Sequence, residues 1–132
     1  MEIYTVENQN LKIFYKKSFI PRSLKEVIIK EYGKFSMANP NKNYTKTDVI
    51  RNPFLPMSQM VFLIRYEDYY ALVFRQGGRA RGGRFIFCRI IEEEVVIIKK
   101  YSIYERINTI EEFISRIQSQ KFYPMEWVHY GR

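Results

Sequence analysis

The sequence predicts an α+β fold: an antiparallel β-meander of four to six strands packed against two helices. Three observations lead there. Four β-rich runs succeed one another between residues 59 and 104, with joints too short for the crossovers that parallel strands require. Two other stretches open on a helix-start signature and continue with apolar residues at helical spacing. The composition, 46% hydrophobic and 27% charged, is that of a folded globular chain, and 132 residues suffice for a single domain with its own core.

In chain order, Ile3 to Val6 and Leu11 to Tyr15 are β-rich runs separated by Glu7-Asn8-Gln9-Asn10. Asparagine tolerates turn geometry, so these runs predict an N-terminal hairpin. Ser23-Leu24-Lys25-Glu26 reads as a capping box, in which Ser23 takes the Glu26 amide proton and Glu26 reaches back. A helix is therefore predicted over Leu24 to Tyr32, with Gly33 as its stop. Residues 34–57 read as a long connection, because Asn39-Pro40, Asn52-Pro53 and Leu55-Pro56 each disfavour helix before the proline. Thr47 to Arg51 fits one helical turn inside it. Connections of this length in a compact domain are often functional.

The meander over residues 59–104 comprises Gln59 to Tyr66, Tyr69 to Arg75, Arg84 to Ile91 and Val95 to Tyr104. Its joints are Glu67-Asp68, Gln76 to Gly83 and Glu92-Glu93-Glu94. Val61-Phe62-Leu63-Ile64 is apolar at every position, which predicts a sheet covered on both faces for part of its length. Thr109-Ile110-Glu111-Glu112 is a second capping box, and Ile110, Phe113, Ile114 and Ile117 share one face, so a helix is predicted over residues 109–121. Pro124 ends anything helical and leaves Met125 to Arg132 as a tail with Trp127 and His129. No internal repeat is visible.

Charge adds the spatial prediction. The chain carries 22 Lys and Arg against 14 Asp and Glu, a net of +8, with a pI of about 9.6. Such a surplus attracts polyanions and acidic proteins at long range. Strands that alternate in direction must place Glu67-Asp68 and Glu92-Glu93-Glu94 at one end of the sheet. Arg75, Arg79, Arg81 and Arg84 then gather at the other. The basic joint, Arg75-Gln76-Gly77-Gly78-Arg79-Ala80-Arg81-Gly82-Gly83-Arg84, combines glycines that permit close backbone approach with guanidinium groups that bind carboxylate and phosphate. It reads either as a solvated hairpin or as a docking surface. In the long connection, Tyr44 and Phe54 stand as aromatic anchors beside Lys42, Lys46 and Arg51.

Catalytic and metal chemistry find little support. The only histidine, His129, sits in the tail, and the only cysteine, Cys88, lies in the apolar run Phe85-Ile86-Phe87-Cys88-Arg89, where thiols are inert. One cysteine permits neither an intrachain disulfide nor a zinc cluster. Glu92-Glu93-Glu94 is one acidic turn without convergent ligands. No phosphate-binding, metalloprotease or nucleophile-elbow motif is present. The expectations are therefore no catalytic residues, no metal, no small-molecule cofactor and no membrane, in a cytoplasmic setting. The function expected is that of a non-enzymatic basic binding protein, an interaction, inhibitor or immunity-type module docking an acidic protein. The expected binding residues are Arg75, Arg79, Arg81, Arg84, Tyr44, Lys46, Arg51 and Phe54. Nucleic-acid binding through residues 75–84 is the alternative, and a small basic ribonuclease using Arg, Lys and Tyr is a third reading.

Overall fold

The computed structural model describes residues 1–45, 55–77, 82–103 and 106–119, together with the backbone of residues 123–129. Its elements run β1 (Glu2–Val6), β2 (Gln9–Phe14), a 3-10 turn (Lys17–Phe19), α1 (Arg22–Tyr32), β3 (Met37–Ala38), β4 (Ser58–Tyr66), β5 (Tyr69–Gln76), β6 (Gly82–Ile91), β7 (Glu94–Ile103), α2 (Ile110–Gln118) and β8 (Tyr123–His129). All strands join one sheet in the order β1-β2-β4-β5-β6-β7-β8, with β3 paired to the start of β4. Every pairing is antiparallel except β3 with β4. The fold is thus the predicted α+β arrangement, an antiparallel sheet with two helices.

Side-chain alternation divides the core between the two faces of the sheet. One face buries Leu24 and Ile28 of α1 against Met60, Leu63, Leu72, Phe74, Ile86, Cys88 and Ile98. The other buries Ile110 and Phe113 of α2 against Ile13, Phe62, Ile64, Val73 and Phe85. In the apolar run of β4, Leu63 belongs to the α1 face, while Phe62 and Ile64 belong to the α2 face. The register slips between Met60 and Phe62, a bulge that lets Val61 and Phe62 both join the α2 face. Both faces are covered, as the continuous apolar run requires. An ion pair of buried Lys100, on β7, with solvent-exposed Glu31, on α1, ties the first helix to the sheet.

Several sequence expectations are corrected. The first capping box does not form: α1 starts at Arg22, Pro21 is its N-cap without a side-chain cap bond, and Ser23 lies inside the helix. The proline carbonyl takes the first helical bond, from the Lys25 N–H at 3.0 Å. Glu26 turns instead to Arg22 one helical turn earlier, Nε to Oε1 at 3.3 Å. The second capping box is present at Thr109 and Glu112, and α2 ends at Gln118 instead of residue 121. The long connection contains β3, and Thr47 to Arg51 lies outside the described residues. The tail is not a tail: β8 pairs with β7, with Trp127 opposite Lys99 and His129 opposite Ile97. Pro124 stands near the start of this edge strand, a place in a sheet where proline is tolerated.

Candidate binding surface at the basic end of the sheet

The acidic side of the predicted division of charge follows from the observed register. Tyr66 pairs with Tyr69 and Ile91 with Glu94, so the Glu67-Asp68 and Glu92-Glu93 turns close at one end. The β1–β2 turn lies at the same end, because Lys12 already pairs with Arg65, and it adds Glu7. This acidic end is partly neutralised: Arg89 Nε lies 3.3 Å from Asp68 Oδ2, and Arg65 Nε donates to the Glu67 carbonyl at 3.0 Å.

At the opposite end the two candidate segments meet. The Gly77 N–H donates to the Met57 carbonyl at 2.9 Å, and the Thr45 N–H to the Pro56 carbonyl at 2.7 Å. A Cβ on Gly77 would stand 1.6 Å from the Thr45 carbonyl oxygen, so only glycine permits this approach. Gln59 bridges the same region: its amide donates to the Lys42 carbonyl at 2.8 Å and its oxygen accepts from Arg75 Nη1 at 2.7 Å. The long connection and the basic joint are therefore tied together at their roots.

Arg75 and Arg84 share this end but not a face. Arg84 pairs with Phe74, and alternation puts both on the α1 face, one residue out of step with Arg75. Arg75 is engaged by the fold. Besides Gln59 it donates from Nη2 to the Ile107 carbonyl at 3.0 Å and to Asn108 Oδ1 at 2.6 Å, holding the strand to the approach of α2. Its pKa is lowered first by burial and then by the neighbouring Arg106, with Tyr44 opposing. Tyr44, half-buried, thus lies beside Arg75 as part of the same end. Arg79, Arg81, Lys46, Arg51 and Phe54 lie outside the described residues; the positions that bracket them, Gly77, Gly82, Thr45 and Leu55, belong to this end.

On the α1 face, a cavity of about 300 Å³ opens at the same end. Buried Ile28, Met37 and Phe74 form its floor, and exposed Tyr32 and Lys34 stand at its rim. Burial raises the Tyr32 hydroxyl above the ordinary phenol value, while the Lys100 and Arg84 cations act the other way. A shallower trough of about 370 Å³ on the α2 face is walled by aliphatic and aromatic side chains, among them Leu11, Tyr69, Phe87 and Ile117.

Cys88 is buried on the α1 face and burial pushes its thiol up to about 12, which removes the thiolate a nucleophile needs. Among the described residues no group of His, Cys, Asp or Glu is arranged to hold a metal ion, and no helix is long and apolar enough to cross a membrane. Sequence reasoning missed Arg106, Asn108, Tyr32 and Lys34. Arg106 and Asn108 were legible in principle: β7 runs toward the basic end, so whatever follows Ile103 must start there. No family model matches the chain, no curated protein matches it, and no solved structure matches it.

Proposed function

We propose that the chain is a non-enzymatic binding protein that docks an acidic partner protein on the basic end of its sheet. One observation carries the reading: the backbone joins the long connection and the basic joint at Thr45, Met57 and Gly77, so two segments chosen independently from sequence contribute to one surface. A mixed patch of arginines, tyrosines and a cavity with an apolar floor suits a protein interface, where aromatic and Arg anchors dominate the energy. The proposal keeps Arg79, Arg81, Lys46, Arg51 and Phe54 among its binding residues on the strength of the sequence alone. A cytoplasmic setting belongs to the same proposal, supported by the single buried, unpaired Cys88.

The test is capture from lysate by tagged protein, with and without nuclease, at two salt concentrations. The reading expects a discrete protein that survives nuclease, is lost with the double substitution Arg79→Glu and Arg81→Glu, and is retained with Glu92→Lys at the far end. Nucleic acid recovered only at low salt would replace it with the polyanion reading, which the Arg/Gly composition of residues 75–84 favours. Degradation of that nucleic acid by pure protein would establish the ribonuclease instead.

A further inference from the structure

Asn108 Oδ1 accepts hydrogen bonds from two guanidinium groups at once, Arg75 Nη2 at 2.6 Å and Arg106 Nε at 3.2 Å. Two like charges are thus gathered on a neutral amide. Among the described residues neither arginine has a carboxylate in salt-bridge range. After burial, the Arg106 charge is the next cause that disfavours the charged form of Arg75. An anion placed between the two guanidinium groups would relieve their repulsion.

The two arginines are not equivalent. Arg75 is half-buried and spends three N–H groups on Gln59, Ile107 and Asn108. Arg106 is exposed, and among the described residues it is held through Nε alone; its Nη groups are the ones proposed to meet a ligand. The pin itself is fixed at both ends: the Asn108 backbone N–H donates to Glu112 Oε1 at 3.1 Å, and its side chain is held by Arg75. A guanidinium held through Nε keeps its terminal fork, which matches the two oxygens of a carboxylate.

We infer that Arg106 is a clamp for a side-chain carboxylate of an acidic partner segment, with Asn108 and Arg75 as positioning residues. The inference rests on the acidic-partner reading and names the chemistry of one contact within it. A phosphodiester chain fits less well. It asks for a continuous track of cations, and here the described cations divide between the faces, Arg84 on one and Arg75 with Arg106 on the other.

The experiment is a titration of the whole protein, labelled with 15N-arginine, with hexaglutamate, following the arginine Nε–Hε resonances at low and moderate salt. The clamp expects saturable movement of the Arg106 resonance, and Arg106→Gln weakens the peptide about tenfold while Arg84→Gln weakens it much less. Arg106→Lys keeps the charge and loses the fork, and recovers little of the affinity. Arg75→Lys moves the Arg106 resonance in the free protein and lowers affinity, the signature of positioning. Arg106→Gln lies on an exposed side chain, and unchanged circular dichroism confirms that it folds. If hexaglutamate binds with Arg106 unmoved, the clamp is overturned and the acidic-partner reading stands on other residues. If a uridine hexanucleotide moves Arg106 at lower concentration than hexaglutamate, the carboxylate assignment is overturned. If hexaglutamate does not bind at low salt, the clamp falls, and the capture experiment alone decides the wider reading.

Discussion

At one end of the sheet three hairpins close in two-residue turns, Glu7-Asn8, Glu67-Asp68 and Glu92-Glu93. At the other, the strands hand over to long connections that side chains and a glycine hold in place: Gly77 against Thr45, Gln59 to Lys42, Arg75 to Asn108. The turn end is more local, its ties between hairpins being those of Asp68 to Arg89 and to the Ile90 N–H. Its turn geometry is set by backbone dihedrals within each hairpin, and it tolerates poor turn residues, since Glu7, Glu67, Glu92 and Glu93 all take positive φ. The loop end is cooperative. Each tie joins segments distant in sequence, so one substitution there disturbs several elements. The contrast expects loss of stability and binding together from changes at the loop end, and gains without functional cost at the turn end.

The largest effect should come from Gly77→Ala. A methyl group 1.6 Å from the Thr45 carbonyl cannot be accommodated without separating the two segments. The expected destabilisation is ~3 kcal/mol, or roughly 10 °C in Tm, with loss of partner capture. Wild-type stability in the variant would mean that Gly77 and Thr45 do not approach in solution, and the cooperative view of this end would go with it. Arg75→Met comes next. It strands the acceptors of Gln59, Ile107 and Asn108, at a cost of about 2 kcal/mol by chemical denaturation. Arg75→Lys restores less than half, because an ammonium lacks the planar fork that reaches three acceptors.

The same contrast explains what the sequence disclosed. The meander and its polarity were legible because short acidic joints between β-rich runs leave one topology. The second helix was legible because Thr109 and Glu112 satisfy each other locally. The first cap misled: Ser23 and Glu26 have the right spacing, but Pro21 sets the helix start one residue before the serine, and Arg22 draws Glu26 away. β8 was hidden because Pro124 reads as a breaker until the strand is known to lie at the sheet edge. Arg75 was identified as a surface residue from its place beside the glycines. Its engagement depends on Gln59 and Asn108, which lie 16 and 33 residues away and which no local pattern connects to it.

At the turn end the expected effect is a gain. Glu92 and Glu93 adopt φ of 50° and 66°, the pair of left-handed residues that a type I′ turn requires. Replacing them by Asn-Gly supplies residues suited to that backbone and should add about 1 kcal/mol. The measurement is a thermal melt, alongside partner capture, which should be unchanged. A loss of stability would show that the glutamates make contacts beyond the turn. Loss of capture would break the functional division between the two ends.

The smallest effect concerns pH and falls where the fold meets the clamp. Glu112 Oε1 accepts from the backbone N–H groups of Asn108 and Thr109, each at 3.1 Å. These bonds, the one from Asn108 foremost, lower its pKa below the ordinary 4.5. A carboxylate lowered in the folded state stabilises fully above its unfolded value, and that contribution is lost as pH falls through the folded value. Glu112→Gln should therefore be less stable than wild type at neutral pH, with the difference shrinking below about pH 4.5 and vanishing in stronger acid. Melts of the two proteins across that range read the effect directly. The Asn108 side chain carries Arg75 and Arg106, so acid that releases its backbone should also shift the Arg106 Nε–Hε resonance over the same interval. A difference in stability that persists unchanged into acid would assign the cap to the shape of residue 112 and not to its charge.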